Sequence, residues 1–237
     1  MYFYRSLQPI KAITFDLDDT LYDNVPIIER AESALIQKLQ TVSGLANLSL
    51  IEFNQLKQQM REIDAEIYHD VVAWRIMTLQ HLFTKINLPA SQIDNKVQEM
   101  MDYFTYWRHQ IVVSSQTHQL LNRLAKHVPL AVITNGNVEV AKIGINHYFE
   151  FSLRGGIDGR SKPYSDTFTL AVNLLGVSPE HVLHVGDNLY TDVFGAVNAG
   201  MQACWLNLTG QDIYHQSEMQ VLPHVEITNL AELENLL

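Results

Sequence analysis

The sequence holds a single cysteine, Cys204, so no disulfide forms within the chain and no cluster of thiolates can hold a metal. It has no apolar run near the ~18 residues that a membrane-spanning helix requires. The opening MYFYRSLQPIKA is too short and too interrupted for the apolar region of a secretory signal. Basic residues are also scarce, 16 against 26 acidic ones, for a formal net charge of −10. That balance disfavours nonspecific nucleic-acid binding, and no basic stripe interrupts it. There is no internal repeat and no low-complexity segment. These absences predict a cytoplasmic protein, without a membrane or nucleic-acid partner. With 237 residues, of which 47% are hydrophobic and 18% charged, the chain can build a full core in one large or two modest domains.

Short apolar runs end abruptly in polar or glycine-containing turns. KAITF stops at Asp16, LAVIT at Thr134-Asn135-Gly136, HVLHV at Gly186-Asp187 and MQACWL at Asn207, with HVEITNL (224–230) a weaker case. Continuous apolar runs of this length read as strands buried on both faces, the pattern of a parallel sheet. Helical segments separate them. SSQTHQLLNRLAKH (114–127) gathers Leu120, Leu121 and Leu124 on one face. PYSDTFTLAVNLLG (163–176) places Pro163 in a first turn and Gly176 at a stop, and LYTDVFGAVNAG (189–200) also ends on glycine. The alternation predicts an α/β fold, a doubly wound parallel sheet.

Residues 24 to 112 differ. They carry helical periodicity near 26–41, 49–68, 71–87 and 90–110 and no convincing strand. The expected organisation is a core domain of residues 1–23 and 113–237, interrupted by a helical insertion over 24–112.

In open α/β sheets, ligands bind outside the carboxyl ends of the strands. The polar residues expected there are Asp16, Asp18 and Thr20, then Thr134, Asn135 and Gly136, then Asp187 and Asp192, with Lys162 just before a helix start. Asp16 and Asp18 lie two apart, so an extended chain sends them to one side and Asp19 to the other. Converging carboxylates repel one another unless a cation joins them, and an all-oxygen set suits Mg²⁺.

Asp16-Leu17-Asp18-Asp19-Thr20 after an apolar strand, Thr134 at a second strand end, Lys162 before a helix, and Gly186-Asp187 followed by Asp192 resemble the four ordered motifs of the haloacid dehalogenase-like hydrolase superfamily. The resemblance runs from residue 11 to about 200. It implies a Rossmann-like core with the insertion as a helical cap. It also implies a role for each matched residue. Asp16 would be the nucleophile that forms an aspartyl-phosphate. Asp18 would protonate the leaving group and then activate water. Asp16, Asp187 and the backbone carbonyl of Asp18 would bind Mg²⁺. Thr134 and the backbone N–H groups near Asn135 would hold phosphoryl oxygens. Lys162 would offset negative charge, Asp192 would orient Lys162 or a metal-bound water, and Thr20 would support the site.

FDLDDTLYDN, IYHDV, ITNGN, GRSKPYSD and GMQACW further resemble a bacterial branch of that family that acts in flavin metabolism. This implies hydrolysis of 5-amino-6-(5-phospho-D-ribitylamino)uracil, of flavin mononucleotide (FMN), or of both. The alternatives are a 2-haloacid dehalogenase on the same scaffold, a sugar-phosphate phosphatase or phosphomutase, and a non-catalytic binding protein. The expected partner is a small phosphorylated metabolite, acted on by a monomer or homodimer.

Other residues read as structural. His184, inside an apolar run, reads as a core histidine with satisfied hydrogen bonds. Asp19 reads as solvated or structural. Asn188 stands where some family members carry a second acid. Tyr68, Trp74, Tyr103, Tyr106 and Trp107 read mainly as the insertion's own packing, with one of them expected to touch substrate.

Overall fold

A computed structural model of the chain describes residues 1–237. Seven strands form one sheet: β1 (Tyr2–Phe3), β2 (Ala12–Phe15), β3 (Leu130–Thr134), β4 (Ser152–Arg154), β5 (Val182–Gly186), β6 (Gln202–Leu206) and β7 (Val225–Ile227). Their order is β1-β7-β6-β5-β2-β3-β4. All neighbours are parallel except β1, which joins β7 antiparallel at the edge. The five runs read from sequence as strands are β2, β3, β5, β6 and β7. The short edge strands β1 and β4 carry no comparable apolar run.

The chain packs as two compact units. One comprises Met1–Asp23, Val112–Gly136 and Val140–Leu237, and the other comprises Asn24–Ile111 with Asn137–Glu139. In the sheet-bearing unit, the inner strands are buried along their whole length. Helix α6 (Ser165–Leu175) covers one sheet face, where Phe168 and Ala171 pack with Ile133, Val182 and Trp205. A left-handed Gly176 (φ 65°) ends that helix. Helix α5 (Ser115–Leu124) starts at Ser114, whose hydroxyl accepts the Thr117 N–H.

The second unit is four helices: α1 (Val25–Gln40), α2 (Leu50–Ile63), α3 (Val71–Lys85) and α4 (Ala90–Arg108). Leu35, Phe53, Leu79, Phe83, Met100 and Phe104 meet in its core. Ser49 and Glu52 form a reciprocal capping box at the start of α2, and Asp70 caps α3 through the N–H groups of Val72 and Ala73. Trp74 is buried, and its indole donates to the Lys57 carbonyl at 2.6 Å, which makes it part of the unit's packing. No helix of the chain is long and apolar enough to cross a membrane.

Three local readings need correction. The second helix of the insertion ends at Ile63, not 68; a short 3₁₀ turn (Ile67–His69) intervenes before Asp70 caps the next helix. Pro163 lies outside α6, joined to Lys162 by a cis peptide bond. Residues 189–200 are not one α-helix. Leu189–Phe194 form a wide π-type turn, in which the Val193 N–H donates to the Asn188 carbonyl, and only Gly195–Asn198 (α7) are α-helical.

Candidate active site

The chain leaves β2 toward β3 on one side and returns through β5 on the other, so β2 and β5 are neighbours whose following loops part company. A crevice at the carboxyl ends of such a strand pair is where open α/β sheets bind ligands. Asp16 follows β2 directly, and its N–H donates to the Val185 carbonyl at 2.9 Å, which continues the ladder to β5. Asp187 follows β5 directly. Thr134 is the last residue of β3. The backbone then turns tightly after Asp16: the N–H groups of Thr20 and Leu21 both donate to the Leu17 carbonyl, and Asp19 takes a left-handed conformation (φ 58°).

Lys162 is the centre of the polar network. Its ammonium lies 2.7 Å from Asp16 Oδ1 and 2.6 Å from Asp192 Oδ1, and all three side chains are buried. Burial alone would discharge the lysine, but the two carboxylates overcome it and hold the ammonium charged well above the ordinary lysine range. Burial also opposes the charge on Asp192, yet Lys162 and His184 keep that carboxyl well below its usual range. Asp192 is therefore an anion with its proton acceptors engaged. Oδ1 faces Lys162 and His184, and Oδ2 accepts the Asn188 N–H at 3.1 Å.

Asp16, Asp187 and Asp192 place carboxylate oxygens within 4.8 Å of one another. One lysine serves three acids. Burial, followed by the charge of Asp192, pushes Asp187 up to about 7. Burial pushes Asp16 well above the ordinary carboxylate range as well, with Lys162 opposing and Asp192 and Asp18 assisting. The site thus holds more negative charge than its own residues neutralise. A hard divalent cation fits that deficit and this all-oxygen donor set. Asp192 has both oxygens committed elsewhere, which leaves Asp16 and Asp187 as the carboxylates suited to face the cation.

Other expected residues take particular places. Thr20 Oγ1 lies 3.4 Å from Asp187 Oδ1, a long contact. Thr134 Oγ1 accepts the Gly136 N–H at 3.0 Å. The Asn135 side chain does not point to an open phosphate site. Its carboxamide accepts the Lys162 N–H at 2.8 Å and donates to the Lys162 carbonyl at 2.9 Å, so only its backbone remains for a phosphoryl group. The Asn188 side chain caps the wide turn through the N–H groups of Tyr190 and Thr191.

Two contributions escaped the sequence reading. His184 is a satisfied core histidine, but one of its partners is Asp192, at 3.2 Å from Nε2. Burial keeps the ring neutral, so Nε2–H donates to Asp192 and Nδ1 accepts from the Thr14 hydroxyl at 2.9 Å. Gly186 is the other. A Cβ there would lie 2.3 Å from Asp192 Cγ, so only glycine lets that carboxylate cross the end of β5. His184 sits inside an apolar run, and Gly186 is legible only as the turn that ends it; neither position reports its contact with Asp192.

The family description "haloacid dehalogenase-like hydrolase" matches residues 10–200. The chain belongs to the haloacid dehalogenase-like hydrolase family. Over 238 aligned residues, 100% of both chains, it is 44% identical to the 5-amino-6-(5-phospho-D-ribitylamino)uracil phosphatase YigB of Escherichia coli (strain K12). It is 27% identical to the N-acylneuraminate-9-phosphatase of Mus musculus, across 98% of this chain and 95% of that one. Among solved structures it is similar to a 2-haloacid dehalogenase from Pseudomonas syringae pv. Tomato DC3000, with TM-score 0.89 and 32% identity over 96% of this chain and 97% of that one. Within this hydrolase family, then, the chain has relatives named for phosphate-ester and for carbon–halogen chemistry.

Proposed function

We propose that the chain is a Mg²⁺-dependent phosphomonoesterase that works through an aspartyl-phosphate. Its substrate in this reading is 5-amino-6-(5-phospho-D-ribitylamino)uracil, FMN or both. The observation that carries the reaction type is the contact of Lys162 with Asp16 and Asp192, set beside Asp187 at the ends of β2 and β5. The full-length 44% identity to the E. coli phosphatase carries the substrate.

In this reading Asp16 attacks phosphorus. Lys162 keeps Asp16 oriented and lowers the repulsion between its carboxylate and an incoming phosphate. Asp16, Asp187 and the backbone carbonyl of Asp18 would hold Mg²⁺, whose charge would neutralise phosphoryl oxygens when bound. The Thr134 hydroxyl and the backbone N–H groups that follow β3 bind the remaining oxygens. Asp18 gives a proton to the leaving alkoxide and later takes one from the attacking water. Asp192 anchors Lys162, with His184 behind it. Thr20 steadies Asp187. Transfer of a phosphoryl group depends on alignment and charge neutralisation, which this set supplies.

In this reading the helical unit is the counterpart of the family's helical cap, and the substrate is a small metabolite. The reading includes a monomer or homodimer in the cytoplasm, without a nucleic-acid or membrane partner. The dehalogenase alternative draws on the Pseudomonas syringae structure, but a departing halide needs no proton, and Asp18 would then be idle.

The test is release of inorganic phosphate by the purified protein, with and without Mg²⁺. The panel should contain the ribitylaminouracil phosphate, FMN, N-acylneuraminate 9-phosphate and simple sugar phosphates, with halide release from 2-haloacids measured in parallel. Metal-dependent turnover that is highest on the two flavin-related esters is expected. Halide release without phosphate release would overturn the reaction type, and preference for another ester would overturn the substrate.

A further inference from the structure

The chain is acidic overall, yet the helical unit gathers cations among its helices. Arg75, on α3, is buried, and its guanidinium carbon lies 3.7 Å from the centre of the Phe104 ring on α4. Its Nη2 reaches Glu32 Oε1 on α1 at 3.3 Å, a long contact, and its Nε is buried with no acceptor. Lys57, on α2, is half-buried; its ammonium lies 4.3 Å from the centre of the Trp74 ring instead of on a carboxylate. Burial, then the charge of Arg75, pushes this lysine down to about 8 while Glu32 opposes. Burial likewise lowers Arg75 to about 10, with Glu32 opposing and Arg108 on α4 assisting. The same acid therefore acts on both cations. One helical turn beyond Phe104, the Trp107 indole N–H is a second buried donor without an acceptor.

A buried charged donor with no acceptor loses its hydration and gains nothing in return, so such groups are normally paired. Here the protein offers Glu32 and nothing else to Arg75 Nε and Lys57. We propose that the helical unit holds a binding site for a small carboxylate, which accepts the Arg75 Nε–H and is drawn by the charge of Lys57. The site involves only residues of the helical unit and does not depend on the reaction proposed above.

The chemistry selects a carboxylate for two reasons. The planar guanidinium presents its donors in a fork that matches carboxylate oxygens, and Nε belongs to that fork. Its single charge also meets the one positive charge that Glu32 leaves unanswered between Lys57 and Arg75. Glu32 would repel the second charge of a dianion such as phosphate. Access comes from the solvent edge, where Glu32 is partly exposed and Lys57 half-buried.

The test follows the indole N–H signals of the three tryptophans of the full-length protein by proton–nitrogen NMR. The protein is titrated with sodium acetate, and with sodium chloride at equal ionic strength. Trp74 lies under Lys57, whereas the Trp205 indole donates to the Asp187 carbonyl at 2.7 Å and reports on the active site. Acetate is expected to shift the Trp74 signal saturably and to leave Trp205 in place. Arg75→Lys keeps the charge but loses the Nε donor, and it should raise the acetate midpoint at least about 10-fold. Lys57→Met keeps the apolar stem, and it should raise the midpoint about 3-fold or more. A Trp74 response no larger in acetate than in chloride, a response confined to Trp205, or an unchanged midpoint in Lys57→Met overturns the proposal. Should Arg75→Lys fail to fold, Lys57→Met decides. Inorganic phosphate is titrated in parallel and is expected to act on Trp74 more weakly than acetate; a lower midpoint for phosphate overturns the assignment to a carboxylate.

Discussion

The carboxamide of Asn135 forms two hydrogen bonds with the main chain of Lys162, one to its N–H at 2.8 Å and one to its carbonyl at 2.9 Å. The end of β3 is thereby clamped to the loop that delivers the ammonium to Asp16 and Asp192. An unclamped loop would let a long, flexible side chain wander. Asn135→Ala should therefore cost about 1–3 kcal/mol of stability, because it leaves main-chain groups of Lys162 unpaired. Turnover should fall between about 10- and 100-fold through misplacement of the lysine. Chemical denaturation and steady-state kinetics check the two effects.

Gly186→Ala tests the close approach at the end of β5. The new methyl would collide with the Asp192 carboxylate. A destabilisation of about 1–3 kcal/mol is expected, as for other overpacked sites. Because Asp192 anchors Lys162, activity should fall with it. Alanine at Gly144, where a Cβ meets nothing within 4 Å, serves as a control for that missing space; its backbone φ of 78° carries a separate strain that the comparison must subtract.

Chelation should abolish phosphate release, and added Mg²⁺ should restore it. Asp187→Asn should raise the Mg²⁺ concentration needed for half-maximal activity at least about 10-fold, since it removes one of two carboxylates suited to the cation. The same change relieves repulsion among three acids that share one lysine. The metal-free variant is therefore expected to melt above metal-free wild type, while Mg²⁺ raises the melting temperature of wild type more. Calorimetric titration and thermal melts read both.

Stability should also depend on pH through His224. The ring is buried, its Nδ1 accepts the Ala203 N–H at 3.1 Å, and burial, assisted by Arg5, lowers its pKa from 6.5 to about 4. The unfolded chain therefore takes up this proton at a higher pH than the folded one. The contribution is fully present above pH 6.5 and is lost as pH falls toward 4. Solvent screening at the ring's edge limits it to about 1–2 kcal/mol. His224→Asn, which keeps an acceptor but cannot titrate, should flatten this part of the pH–stability curve relative to wild type.

Much of the site was legible because the acids follow apolar strands. A short run such as AITF, bounded by polar residues, reads as a strand buried on both faces, and its end is a place where polar residues become available to a ligand. Asp16, Thr134 and Asp187 could be assigned that way. The contacts of Gly186 and of the Asn135 carboxamide could not. Each acts on a residue presented by another part of the fold or across a turn, and neither periodicity nor composition reports such a contact. The edge strands β1 and β4 escaped for a related reason: two or three residues hold no pattern, and pairing with β7 and β3 makes them strands.

The sequence by itself determined the alternation of buried strands and helices and the helical insertion, which follow from local periodicity, and it marked the candidate site residues through ordered motifs that resemble those of the family. Tertiary structure alone decided which carboxylates share Lys162, and that His184 supports Asp192. Those relations are set by distances of a few ångströms between residues far apart in the chain, and hydrogen bonding and Coulomb energy at that range depend on where the sheet brings them together.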